Sequence, residues 1–278
     1  MEVTELVDKT KITLTEEMET LLIPLYAKAV GSQQPNSIFV DTKAQEILTQ
    51  VEYDFGKLKT PTKTVVMMGL RAKKLDDVTR AFLDRHPQGV VLHLGCGLDS
   101  RCLRVDRRQA DWTDLDMPPV IDLRRHFYSE DGHYHMIGSS VTDLAWIDAV
   151  EAHAHPVLVV AEGLLMYLRE DDVKALVLKL KERFPGCELV ADVFSVLTAR
   201  RVGGHPGIKK TGAHVHWGID NARDIEQWAD GIRLQEEWTF DQAEEINRLG
   251  LGYRLAFKMA GLIPAARIAH RIVHFRLS

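Results

Sequence analysis

Cysteine is scarce in this sequence. Cys96, Cys102 and Cys187 are the three present, irregularly spaced, and no CxxC pair occurs. That leaves no disulfide framework and argues against a cysteine-based zinc site. Long apolar runs are missing too: nowhere do 18 apolar residues follow one another, so no membrane span is expected. Nor is there an excess of positive charge. Lys and Arg number 35 against 40 Asp and Glu, a formal net charge of -5, which gives no global field to hold a phosphate backbone. The basic clusters, Arg71 with Lys73 and Lys74, and Arg200-Arg201 with Lys209-Lys210, are short. Met1 to Glu19 is charged and lacks the apolar core of a signal peptide. Internal repeats and low-complexity tracts are absent as well. A cytoplasmic protein that binds neither nucleic acid nor membrane is expected.

What is present suits an ordinary folded protein: 278 residues, 45% hydrophobic and 27% charged. Three zones differ in pattern. Up to about residue 88 the spacing predicts helices, with Leu21, Leu22, Leu25 and Ala29, then Leu75, Val78, Phe82 and Leu83, recurring on one face. Between 89 and 193, short apolar runs alternate with helical stretches. Gly89–Leu94, Val157–Ala161 and Glu188–Val193 read as buried strands, and Asp171–Phe184 as a helix with Val173, Leu176, Val177 and Leu180 inward. Buried strands separated by helices predict a doubly wound α/β core with a parallel sheet. From Arg200 to Gly218 the chain is polar and glycine-rich, with three histidines, which suits a lid or binding segment. Beyond it, Ile232–Phe240 reads as a strand, Gln242–Ala260 as a helix, and Arg271–Leu277 as a strand pairing back on the sheet edge. The expected organisation is one compact unit: a helical cap over 1–88, and a core over 89–278 with a lid at about 200–218.

The most informative segment is Val90 to Arg101, VVLHLGCGLDSR. A buried strand delivers the chain to Gly95 and Gly97, where the absence of a Cβ allows a tight turn and close approach of a ligand. The third glycine of the dinucleotide fingerprint is missing, which weakens a nicotinamide cofactor. Asp99 also places a carboxylate beside the turn and favours a cationic cofactor over a diphosphate. About 20 residues on stand Asp114 and Asp116, in the apparent end of a second strand. At this spacing a carboxylate holds ribose hydroxyls; Asp116 is the first candidate and Asp114 its competitor.

These blocks resemble the leucine carboxyl methyltransferase-like, S-adenosylmethionine-dependent O-methyltransferases, in particular the small bacterial branch of tetracenomycin polyketide type. The match is carried by Leu70-Arg71 ahead of Leu75-Asp76, by Leu94 to Arg101 (LGCGLDSR), by Leu115 to Pro118 with Val120-Ile121, and by Ala161 to Leu168 (AEGLLMYL). The resemblance spans roughly residues 20 to 195. It implies the Rossmann-like class I methyltransferase sheet and S-adenosyl-L-methionine as cofactor. It would assign Arg71 to the methionine carboxylate, Gly95 to the cofactor turn, Asp116 to the ribose, and Glu162 to the methionyl amino group or sulfonium. Lys28 aligns with a basic residue that relatives carry in the first helical zone. The sequence departs from the pattern at one place. Ser140-Val141 stands where relatives contact adenine through an Asp-Leu pair, and Asp143 comes slightly later.

Three His-x-His pairs, His133/His135, His153/His155 and His214/His216, raise the question of a metal. The first two lack convincing partners, so no metal is expected. His205, His214 and His216 crowd the lid zone beside Trp217, and His214 and His216 are candidates for the acceptor side. Cys96 reads as a small packing residue. The expected activity is methyl transfer to a carboxylate or hydroxyl oxygen of a small, polyketide-like molecule. An NAD(P)-dependent oxidoreductase and a non-catalytic binding module are the alternatives. Oligomeric state is not legible.

Overall fold

The computed structural model describes residues 16–58, 60–203 and 214–278. Three helices come first: α1 (Glu16–Ser32), α2 (Thr42–Gln50) and α3 (Thr62–Arg85). Pro24 lies inside α1 without ending it, and Asp41 caps α2 by accepting from the Ala44 amide. Strands and helices then alternate: β1 (Val90–Leu94), α4 (Arg101–Arg104), β2 (Asp111–Asp116), α5 (Pro118–Arg124), β3 (Tyr134–Gly138), α6 (Ala145–Ala149), β4 (Val157–Ala161), α7 (Glu170–Arg183), β5 (Cys187–Phe194) and α8 (Val196–Gly203). β6 (Ile232–Thr239) and β7 (His270–Leu277) complete a seven-stranded sheet in the order β3-β2-β1-β4-β5-β7-β6. Strands β1 to β5 pair in parallel, whereas β7 runs antiparallel to both β5 and β6.

Period two along the strands builds the two layers. Val91, Leu158 and Val190 join one apolar cluster with Leu70, Leu75 and Phe82 of α3. Their neighbours Leu92, Val159 and Leu189 join the opposite cluster with Val173, Leu176, Val177 and Leu180 of α7. Every residue of β1 and β4 is buried, as a central parallel strand requires. The helical zone before residue 88 is therefore not one layer. α3 covers the sheet, and α1 packs on α2 and α3. Strand order reverses between β1 and β4, which opens a crevice at the carboxyl ends of these strands.

The late strand pairs back as expected: β7 runs antiparallel along β5, the edge of the parallel strands, and β6 adds outside it. Two expectations are corrected. Gln242–Ala260 is not one helix. A capping box between Thr239 and Gln242 starts a short 3₁₀ turn, a second turn covers Glu244–Arg248, and the α-helix runs only over Leu251–Leu262. The polar stretch beginning at Arg200 is helical at its start, because α8 continues to Gly203. The centre of the expected lid, 204–213 with His205, lies outside the described residues. Among the described residues, no helix is long and apolar enough to cross a membrane.

Candidate active site

β1 ends at Gly95 and Gly97, whose φ values of +61° and +51° are left-handed. A Cβ on Gly95 would stand 3.0 Å from Leu164 Cδ1, so a side chain is both strained and crowded there. The Gly97 amide donates to Asp116 Oδ2 at 2.7 Å, and the Met117 amide donates to Asp116 Oδ1 at 2.7 Å. Asp116 thus braces the turn from the end of β2. Burial raises its pKa, against the pull of those two amides. Half-buried, it keeps lone pairs for further donors.

Asp114 is of a different kind. Fully buried, it accepts from Trp112 Nε1 at 2.8 Å and Tyr134 Oη at 2.7 Å, pairs with Arg124, and lies 3.1 Å from His93 Nδ1. Burial opposes its charge, but Arg124 and His93 hold its pKa at about 2. These partners occupy its acceptor sites, so it has no room for ribose.

Beside the turn a cavity of about 200 Å³ opens between α1, α3 and the ends of β1 and β4. It brings together Lys28, Arg71, Gly95, Gly97 and Glu162, all singled out in the sequence, with His93, Asp99 and Tyr167. Glu162 is the hub. Its Oε1 is 3.1 Å from Arg71 Nε and 3.3 Å from Lys28 Nζ, and its Oε2 is 2.5 Å from Arg101 Nη2. Burial would raise its pKa, but the three cations drive it far below the usual carboxylate range. Arg71 forks between Glu162 and Asp192, the latter 3.1 Å from its Nη1. Burial opposes the Arg71 charge, and these two carboxylates more than restore it.

The carboxylate of Asp99 beside the turn is paired with cations of the fold. Lys28 lies at 3.2 Å, Arg101 at 3.4 Å, and Arg104 donates to it. Burial works against its charge, yet these cations hold its pKa well below the usual range. Its Oδ2 is buried and accepts no hydrogen bond within the described protein. Sequence reasoning missed the rest of this cluster: Arg101 bonds Asp76, while Arg104 bonds Asp41 and Asp76. Four buried cations (Lys28, Arg71, Arg101, Arg104) meet five buried carboxylates (Asp41, Asp76, Asp99, Glu162, Asp192). Arg101, closing the LGCGLDSR block, and Asp76, in the Leu75-Asp76 block, carried a signal; Asp41 and Arg104 carried none.

Other candidates lie outside the cavity wall. Asp116 adjoins it through Gly97. Ser140 follows β3, its hydroxyl 2.8 Å from that of Thr142, and the Val141 side chain is packed in the core. His214 and His216 are exposed, with ring centroids 6.0 Å apart. The His216 and Trp217 amides both donate to the Met166 carbonyl, which docks this segment on the turn after Glu162. His133 and His153 are exposed beside Asp111 and Glu151. Cys96 is buried, and burial pushes its thiol well up, as befits packing. A larger groove of about 740 Å³, lined by His86, His153, His155, Arg183 and Arg276, opens beside Pro156 and Cys187. It lies at the amino ends of the strands, away from the crevice.

The model of the family described as leucine carboxyl methyltransferase matches residues 22–181. The chain is 39% identical over 272 residues to the tetracenomycin polyketide synthesis O-methyltransferase TcmP of Streptomyces glaucescens, covering 95% of this chain and 98% of that protein. It is 30% identical over 251 residues to the S-adenosyl-L-methionine-dependent methyltransferase dpfgK of Gibberella zeae, covering 82% and 84%. Among solved structures, a DUF574 family protein from Streptomyces avermitilis shares the fold at a TM-score of 0.55 and 14% identity, covering 77% of this chain and 85% of that one. A methyltransferase candidate from Thermobifida fusca does so at 0.54 and 16%, covering 77% and 82%. These matches replace the oxidoreductase and non-catalytic alternatives. The chain belongs to the leucine carboxyl methyltransferase family, on its tetracenomycin-type branch, and is an S-adenosylmethionine-dependent methyltransferase.

Proposed function

We propose that this enzyme methylates a carboxylate or hydroxyl oxygen of a small, polyketide-like molecule. The observation that carries the cofactor side is the charge balance of the buried cluster. Four cations meet five carboxylates, and of these Lys28, Arg71, Asp41, Asp99 and Glu162 line a cavity reached by two left-handed glycines. S-Adenosylmethionine, with one carboxylate, one ammonium and one sulfonium, carries one net positive charge. The residues fit it, and the unbonded Asp99 Oδ2 supplies an acceptor for an ammonium proton. Arg71 and Lys28 would hold the methionine carboxylate, Glu162 and Asp99 the ammonium or sulfonium, and Asp116 the ribose. Gly95 and Gly97 would let the backbone approach, and Ser140 and Val141 would border the adenine.

When bound, the cofactor supplies an electrophilic methyl on sulfur. Displacement at that methyl is in line and removes charge, so the protein's contribution is alignment and exclusion of water. The apolar wall of Leu21, Pro24, Leu25 and Met68 excludes water from one side of the cavity. A carboxylate acceptor needs no base, whereas a phenol, with a pKa of about 10, gains from one. His214 and His216, in the segment whose His216 and Trp217 amides bond the Met166 carbonyl, would bind or orient the acceptor.

Asp116→Ala tests the cofactor reading. Two hydrogen bonds to a charged group are worth roughly 3–6 kcal/mol if additive, so affinity for S-adenosylhomocysteine should fall at least ~100-fold. An unchanged calorimetric dissociation constant rejects the ribose role. The acceptor is tested with methyl-labelled donor over a panel of aromatic carboxylates and phenols. A methyl ester releases methanol in base and an aryl ether does not. If neither His214→Ala nor His216→Ala changes acceptor KM or kcat, that segment is not part of the acceptor site.

A further inference from the structure

We infer that His270, held by Asp192, touches the acceptor oxygen that receives the methyl group and keeps it in its anionic form. The inference rests on the O-methyltransferase reading above. His270 opens β7 and is paired in register with Phe194 at the end of β5, so it stands at the carboxyl end of the sheet. Its Nε2 lies 2.7 Å from Asp192 Oδ2. Asp192 is wholly buried and takes two further donors, the Gly163 amide and Arg71 Nη1. Both Gly163 and Arg71 line the cofactor cavity. One carboxylate oxygen, Asp192 Oδ2, therefore takes both the cavity's arginine and an imidazole, while Oδ1 holds the Gly163 amide.

The geometry is that of an oriented histidine rather than a filler. Asp192 is 0% exposed, but the His270 side chain remains 17% exposed. Its Nδ1 makes no hydrogen bond to any described residue. The ring is flanked by Phe194, centroids 4.8 Å apart, and Phe240, at 5.0 Å. These apolar faces suit a planar acceptor. The order β2-β1-β4-β5-β7 places His270 on the correct side. With ribose at the end of β2 and the methionine end at β4, the remaining approach lies over β5 and β7.

The charged and titratable groups around the ring are few. Asp192 from β5 is bonded to it, Arg71 from α3 pairs with that carboxylate, and Tyr167 feels the same negative charge without a hydrogen bond to it. Arg271, next on β7, is engaged by Glu237 and by the Ile219 and Asp220 carbonyls. With a hydroxyl acceptor, the O–H proton passes to His270 Nδ1 and an oxygen electron pair forms the O–CH₃ bond. The S–CH₃ bond breaks with its pair left on sulfur as the thioether, and the imidazolium later yields its proton to water. With a carboxylate acceptor, a protonated His270 donates Nδ1–H to the oxygen that attacks.

The test uses His270→Ala and His270→Gln in the full chain. Calorimetry with S-adenosylhomocysteine should change less than ~3-fold. Binding of 1-naphthol and 1-naphthoate to that complex, and acceptor kcat/KM, should each fall at least ~10-fold in His270→Ala for the preferred class. His270→Gln, which can still donate to Asp192, should fall less. An acid limb in the pH profile that His270→Gln removes marks a hydroxyl acceptor; a lost alkaline limb marks a carboxylate. If S-adenosylhomocysteine affinity collapses together with turnover, His270 only buttresses Asp192 and the inference is overturned. If the parent methylates its acceptor and His270→Ala does so with the same KM and kcat, the inference fails alone. A parent that methylates no oxygen acceptor overturns the underlying reading and this inference with it.

Discussion

Asp114→Ala should destabilise the protein by about 3–5 kcal/mol, the range for leaving one partner of a buried ion pair alone. Arg124 is 0% exposed and would lose its carboxylate, while Trp112, Tyr134 and His93 would lose an acceptor. At ~2–4 °C per kcal/mol for a domain of this size, the melting temperature should drop about 6–20 °C. A thermal scan on the purified variant reads this directly, and an unshifted transition would refute the structural role. The parent should also show an acid signature. The Asp114 pKa is held at about 2 in the fold and is near 3.9 when unfolded. Its contribution of roughly 2–3 kcal/mol is present above about pH 4 and is lost as pH falls toward 2. The variant should lose this part of the pH dependence.

Glu162→Gln should damage the cofactor site more than any other single change of similar size. The carboxylate faces Lys28, Arg71 and Arg101 together, so its loss converts the excess of carboxylates in the cluster into balance. Truncating one member of a buried charge pair costs roughly 2–5 kcal/mol, or ~30-fold to several thousand-fold in affinity. The sulfonium should suffer more than the neutral thioether. Calorimetry should therefore show a larger loss for S-adenosylmethionine than for S-adenosylhomocysteine. Equal losses would mean that Glu162 only organises its arginines and does not sense the cofactor charge.

Much of the sheet could be read in advance for a simple reason. β1, β4 and β5 are buried on both faces, so their sequences are nearly continuous apolar runs between turn residues. The glycine turn was legible because its left-handed backbone demands residues without a Cβ. Hydrophobic periodicity also gave α3 and α7 their inward faces. The region after β6 was harder. A polar stretch with weak periodicity does not say where a helix begins, and two 3₁₀ turns precede this one.

The site divides along another line. Lys28, Arg71 and Glu162 were visible because the sequence resembles a family, and they do meet at one cavity. Asp41, Arg104 and His270 stood in no block of that resemblance, while Asp76, inside a matched block, and Asp192, inside a buried strand, gave no sign of their partners. Local sequence by itself determined the strands, the turn and the inward helix faces, because these depend on the period and size of neighbouring side chains. Only the tertiary structure decided which charges are buried together, and that Asp114 is committed to the interior while Asp116 stands at the rim. The stability of a buried charge depends on partners supplied by chain segments far away in sequence. Asp192 shows this: it joins Arg71, 121 residues away, to His270, 78 residues away.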